Sequence, residues 1–241
     1  LKPDIVLTIA DRFENLATAV ASTYMNIPLA HTQGGEVTGS IDESVRHAIT
    51  KLAHIHFPST KKSKENLIRM GENPDYIFLT GCPSIDLAYN CDKSWPDKKL
   101  NIQTGVGNKI DQAKNFLLVL QHPVTTEYGS AKFQVSQTLN AIKKVGIQTI
   151  WLWPNIDAGT DHISSVLRKF RGKNRNFLIR FFKNFHPEEY IKILSNCSCV
   201  IGNSSSAIRE GSFLGVPAVN VGSRQSGREM GENVINTNYC K

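Results

Sequence analysis

The sequence predicts an α/β chain built from two doubly wound, Rossmann-like domains. Three observations point there. Apolar strand segments alternate with helical segments along the chain, and several strands are the continuous apolar runs that parallel, doubly covered sheets need. A polar stretch, Asn90 to Asn108, interrupts the alternation, which then restarts. The boundary is placed at 95/96, giving an N-terminal domain 1–95 and a C-terminal domain 96–241.

The elements follow in order. Asp4–Ala10 (DIVLTIA) is an apolar run and predicts a strand, and Arg12–Tyr24 has the apolar spread of a helix. Ile27–Ala30 predicts a second strand before the loop His31–Ser40 with its three glycines. Ile41–Leu52 is a helix with carboxylates at its start and His47 and Lys51 toward its end, matching the helix dipole. His56–Pro58 is a short strand, Ser59–Met70 a helix capped by Ser59 or Thr60, and Ile77–Leu79 a further strand before Gly81-Cys82-Pro83-Ser84. Beyond the linker, strands are expected at Phe116–Leu120, Thr149–Trp153, Asn176–Phe181, Cys199–Ile201 and Ala218–Asn220. The helices are expected at Ala131–Val145, His162–Phe170, Pro187–Ser195 and Ser205–Leu214. Trp151 and Trp153 alternate on their strand as core or as a ligand edge.

Composition narrows the function classes. With 241 residues, 40% apolar and 20% charged, the chain is an ordinary globular one. No apolar run approaches a membrane span, and residues 1–25 lack the pattern of a secretory leader, so a cytoplasmic location without membrane attachment is expected. Cys82, Cys91, Cys197, Cys199 and Cys240 are scattered, with no CxxC or Cys/His ligand set, which predicts reduced thiols and no structural metal. The formal charge of +7 suits nucleic acid, a membrane surface or an anionic small ligand. Its clusters at Lys61–Lys64, Lys93–Lys99 and Arg168–Lys183 resemble helix surfaces and connectors without interleaved aromatic stacking positions, so nucleic acid is not expected.

Ligands of doubly wound sheets bind beyond the carboxyl ends of the strands, and the polar residues gather at those ends. Asp11, Arg12 and Glu14 follow the first strand, His31 to Glu36 the second, and His122 the first strand of the second domain. Asn155 and Asp157 come next, then His186, then Asn203 and Ser204 to Glu210. In VIGNSSSAIREG a buried strand leads through Gly202 and Asn203 into a helix start whose serines and free N–H groups favour an anion. Glu210, six residues beyond Ser204, suits a polyhydroxylated group such as ribose. Plainer roles stay open. Asp11 also reads as a helix cap, Asp42 and Glu43 as dipole-compensating charges, and Arg224 and Arg228 as either phosphate ligands or a solvated face.

Five blocks carry a resemblance: HTQGGEVTGSIDESVRHAITKLAHIHF (His31–Phe57), GCPSIDL (Gly81–Leu87), LQHPVTTE (Leu120–Glu127), WPNIDAG (Trp153–Gly159) and GNSSSAIREGSFLGVPAVNVGSRQSGRE (Gly202–Glu229). Together they resemble the hydrolysing UDP-N-acetylglucosamine 2-epimerases of sialic acid biosynthesis and their bacterial relatives, nearly end to end. The resemblance implies two facing Rossmann-like domains of the GT-B-like kind. It also implies a nucleotide-sugar ligand, no cofactor or metal, and a homodimer or higher homo-oligomer. The implied reaction eliminates the nucleotide from a 2-acetamido sugar and hydrates the resulting glycal.

By position, Asp11 and Asp42 match the family's acidic residues, and His122 the histidine near the leaving diphosphate. Ser204 and Ser205 match phosphate-contacting serines, Glu210 the ribose ligand and Arg224 a basic residue of the nucleotide site. His186 falls near the uracil pocket, and Arg12, Asn155 and Asn203 are taken as further binding residues. Gln33 stands where the animal enzymes carry a catalytic glutamate, which an amide cannot replace as a base; Glu36, or Asp11 with Asp42, would take that role. The family's opening strand with its turn, and its terminal crossing helix, have no counterpart, so a truncated first domain is expected. A GT-B glycosyltransferase and a catalytically silent nucleotide-sugar binder remain as alternatives.

Overall fold

The computed structural model describes residues 2–94, 105–173 and 177–239. The expected 95/96 boundary, most of the Lys93–Lys99 cluster, Asn176 and Cys240 lie outside them. Two compact units emerge, one of Leu1–Pro83 with Ser226–Arg228, the other of Ser84–Gln225 with Glu229–Lys241.

In the first unit β1 (Val6–Ile9), β2 (Leu29–Thr32) and β3 (Ile55–Phe57) form a parallel sheet in that order. The intervening helices are α1 (Phe13–Tyr24) and α2 (Ile41–Leu52), followed by α3 (Lys61–Arg69). Ala19, Leu29 and Ile49 are buried at the centre, with Val6, Leu16 and Val45 against them. Thr60 is the residue that caps α3, its hydroxyl accepting the Ser63 N–H at 3.1 Å.

Three expectations need correction here. The strand at Asp4–Ala10 is not covered on both faces: Leu7 and Ile9 are 56% and 57% exposed, because side chains two apart share a face and only the opposite face meets the core. The second strand is shifted by two residues from the expected Ile27–Ala30 to Leu29–Thr32, which brings His31 inside it. Ile77–Leu79 is not a strand. A turn of 3₁₀ helix at Pro74–Tyr76 delivers the chain to the edge of the three-residue β3, where it makes an isolated parallel bridge from Ile77 to His56.

The second unit holds a seven-stranded sheet in the order β10-β9-β8-β5-β6-β7-β4. Its strands are β4 (Val106–Gly107), β5 (Phe116–Leu120), β6 (Gln148–Leu152), β7 (Ile179–Phe182), β8 (Cys199–Gly202), β9 (Ala218–Val221) and β10 (Val234–Thr237). All neighbours are parallel except β4, which runs against β7. Helices α4 (Pro83–Asn90), α5 (Ala131–Val145), α6 (Thr160–Lys173), α7 (Pro187–Asn196), α8 (Ser205–Ile208) and α9 (Glu210–Phe213) complete it. Buried clusters lie on both faces, Leu118, Ile150 and Val200 with the α7 residues on one, Leu117, Val119 and Trp151 with α5 and α6 on the other. That two-sided cover is why β5, FLLVL, reads as an unbroken apolar run.

The expected helix Ser205–Leu214 is two pieces, because Arg209 at φ −87°, ψ −80° departs from helical geometry. Arg180 is a second correction. Counted in the exposed Arg168–Lys183 charge cluster, it is instead a buried residue of the expected strand, β7, with its guanidinium over Phe182 and a hydrogen bond to the Gly107 carbonyl at 3.2 Å. Among the described residues no helix is long and apolar enough to cross a membrane.

Candidate functional site

The strand order of the second unit sets where a ligand can sit. From β5 the chain moves outward through β6 and β7, then returns to the other side of β5 with β8. The topological switch point therefore lies at the carboxyl ends of β5 and β8, where loops diverge and open a crevice. Leu120 is in register with Gly202, so the next residues, Gln121-His122 and Asn203-Ser204, emerge side by side. The approach demands glycine: Gly202 has φ +137°, and a Cβ there would lie 1.9 Å from the Leu120 carbonyl oxygen.

Asn203 is fully buried and clamps His122. Its Oδ1 accepts the His122 N–H at 2.7 Å, and its Nδ2 donates to the His122 carbonyl at 2.9 Å. The Asn203 carbonyl in turn accepts from Gln225 at 2.8 Å and from Arg224 at 3.3 Å. Its side chain is thus committed to the protein, and Asn203 acts by holding His122 and Arg224 in place. The His122 ring is 6% exposed, and its Nδ1 accepts the backbone N–H of Asn155 at 3.2 Å. Asn155 enters through its backbone, which the sequence does not reveal.

Ser204 caps α8, accepting the Ser206 N–H at 3.4 Å, and Ser205 is the first helical residue. With α8 ending at Ile208, the dipole of a ten-residue helix is not available, and anion affinity here rests on local N–H and hydroxyl donors. Ser206 is hydrogen-bonded to Tyr190 of α7, a partner that no motif in the sequence marks. Burial pushes the Tyr190 phenol well above its usual range, so it stays a neutral hydroxyl. Glu210 opens α9. His186 stands at the N-cap of α7, exposed, its N–H facing the Glu189 carboxylate at 3.4 Å.

In the first unit the acidic residues gather around an arginine that no motif in the sequence marks. Arg46, on α2 and fully buried, donates to the Glu36 carbonyl at 2.7 Å and forms an ion pair with Asp11. Asp11 therefore does not cap α1, whose N-cap is Arg12 without a side-chain bond. Asp42 lies one turn before Arg46 on the same helix face and accepts the Ser40 hydroxyl at 2.8 Å. Glu36, 9% exposed, is paired with Arg228, so its carboxylate is already engaged by a guanidinium. Gln33 holds a left-handed φ of +59°, with its amide 3.8 Å from the Cys82 sulfur. Arg12 pairs with its neighbour Glu14 at 2.9 Å.

His31 braces this region. Its Nε2 meets the Ala10 carbonyl at 2.8 Å and its Nδ1 the Thr50 hydroxyl at 3.3 Å. Burial, partly offset by the Ala10 bond, lowers its pKa to about 4. An unfolded histidine takes up a proton near pH 6.5 that the folded one refuses until about pH 4. Stability is therefore lost as pH falls through that window, by about 3 kcal/mol from this residue. Urea midpoints between pH 7 and 4 should show a loss that shrinks by that amount in His31→Gln; an unchanged loss would remove His31 as its source. His56 shifts the same way through burial, countered by Glu72 at 3.2 Å.

Comparison with known proteins agrees with this architecture. The family described as UDP-N-acetylglucosamine 2-epimerase matches residues 1–241. The chain is 41% identical over 233 residues to the UDP-N,N'-diacetylbacillosamine 2-epimerase (hydrolyzing) of Legionella pneumophila, covering 97% of this chain and 60% of that one. It is 33% identical over 239 residues to the UDP-N-acetylglucosamine 2-epimerase of Neisseria meningitidis serogroup B, covering 99% and 61%. The chain thus spans about 60% of the length of these relatives. The crystal structure of UDP-GlcNAc 2-epimerase from Neisseria meningitidis bound to UDP-GlcNAc superimposes with a TM-score of 0.72 at 19% identity, over 92% of this chain and 60% of that one. The fold is α/β and GT-B-like, and the chain belongs to the UDP-N-acetylglucosamine 2-epimerase family.

Proposed function

We propose that the protein is a hydrolysing sugar-nucleotide 2-epimerase. It converts UDP-N-acetylglucosamine, or a related UDP- or GDP-linked 2-acetamido sugar, and water into N-acetylmannosamine, or the related 2-epimer, and the nucleoside diphosphate. The observation that carries this reading is the clamp of His122 by Asn203 at the switch point, with Ser204, Ser205 and Arg224 beside it. That set of N–H, hydroxyl and guanidinium donors suits a diphosphate whose charge grows as it leaves. The Legionella relative, named as hydrolysing, supports the same choice.

The bond changes need a base. The C2 proton leaves as the C1–O bond to the diphosphate breaks, giving a C1=C2 double bond; water then supplies hydroxyl to C1 and a proton to the other face of C2. Asp11 and Asp42 are the carboxylates assigned to these proton transfers. Gln33 cannot serve as a base; Asp11 and Glu36 are both paired with a guanidinium, but the Asp11 side chain keeps 23% of its surface exposed against 9% for Glu36, which favours Asp11. Glu210 binds the ribose, and Glu210→Ala should weaken UDP affinity by about 1–3 kcal/mol, read by calorimetry; unchanged affinity would end that assignment. Asn155 and His186 complete the proposed nucleotide site.

A substrate screen of the full-length protein, with mass detection of free 2-epimer sugars, tests the function and picks the sugar. One other reading is favoured by Gln33, that of a nucleotide-sugar binder without turnover. Saturable UDP binding with no product from any substrate would support it.

A further inference from the structure

We infer that His122 works as a neutral imidazole, with its proton fixed on Nε2 by the backbone of Asn155. A backbone N–H can only donate. Because the Asn155 N–H points at His122 Nδ1 from 3.2 Å, that nitrogen must offer its lone pair. In an imidazolium both ring nitrogens carry hydrogen, and two N–H groups would then confront each other. Asn203 fixes the His122 backbone by two bonds from a fully buried side chain, and His122 is itself buried at 6% exposure, which leaves its ring little room to turn away. Arg224 acts in the same direction, since it reaches the carbonyl of Asn203 and keeps a guanidinium close to the clamp, whereas the Glu127 carboxylate, bonded to Ser223, acts against it.

The tautomer sets the chemistry. Nε2–H is a fixed donor, so His122 stabilises an anion by a hydrogen bond from a neutral ring and is not a reservoir of positive charge. The Asn155 amide is the positioning group, acting only through the ring. Donation to a leaving diphosphate rests on the function proposed above, whereas the tautomer does not.

The experiment has two arms for that reason. In ¹⁵N-histidine-labelled full-length protein without nucleotide, the His122 signals, assigned by their absence from His122→Gln, should show an unprotonated Nδ1 and a protonated Nε2 at neutral pH. A protonated Nδ1, alone or with Nε2, would overturn the inference. The second arm compares UDP affinity of two variants. Glutamine places an amide donor near the Nε2 position and asparagine near Nδ1, so His122→Gln should bind UDP about tenfold more tightly than His122→Asn, the value of one hydrogen bond to a charged group. Equal affinities, or the reverse order, would refute the donor role. Failure of the native protein to bind UDP would contradict the function while the spectrum still decides the tautomer.

Discussion

Asp11→Asn is expected to lower turnover of the full-length protein by about 10²–10⁴-fold, the usual contribution of a positioned general base, while UDP affinity stays near native. The split follows from the division of labour proposed between the units. The residues proposed to hold the nucleotide belong to the second unit, and Asp11 belongs to the first. Asparagine is nearly isosteric and its Oδ1 can still accept from Arg46, so the ion pair becomes a hydrogen bond rather than a hole. Some stability is lost, because a fully buried guanidinium then lacks a counter-charge. Turnover is therefore to be read per folded molecule, with circular dichroism as the control. Equal losses of turnover and UDP binding would remove Asp11 from the proton-transfer role.

Arg46→Met should destabilise the first unit by about 3 kcal/mol, near the lower end for breaking a buried ion pair. The lower end applies because Asp11 is partly exposed and water can reach its carboxylate once the arginine is gone. The Glu36 carbonyl would lose its bond as well, and methionine restores only the packing of the stem. Hydrogen exchange separates the units: amides of β1, β2 and α2 should lose protection while those of β5 and β6 keep it. Uniform loss across both would mean that Arg46 is not a local anchor. Unchanged exchange would mean that the pair contributes nothing to folding.

The contrast between the two units explains what the sequence discloses. Phe116–Leu120 and Ala131–Val145 match the structure at both ends, because a strand buried on two faces and a long amphipathic helix each impose a composition. Val234–Thr237 is a strand that no apolar run announces; it sits at the sheet margin and needs little burial. Pro83–Asn90 is too short for its periodicity to stand out, yet Ala88 is packed in the core of the second unit.

Site residues divide along similar lines. His122, Asn203 and Ser204 are visible because they follow apolar strands within two residues. Arg46 is hidden, since an arginine on a polar helix reads as surface. Its spacing of four from Asp42 was the available clue, but only the fold brings Asp11 to its guanidinium. The engagement of Glu36 by Arg228 spans 192 positions and has no local signature.

The most direct test of the central claim is to incubate the full-length protein with UDP-N-acetylglucosamine, and separately with its diacetylated 2,4,6-trideoxy counterpart, in deuterium oxide. Hydrolytic epimerisation predicts release of UDP together with a free 2-epimer sugar carrying one deuterium at C2. A sugar epimerised but still joined to UDP, or UDP released with an unlabelled and unepimerised sugar, would contradict it.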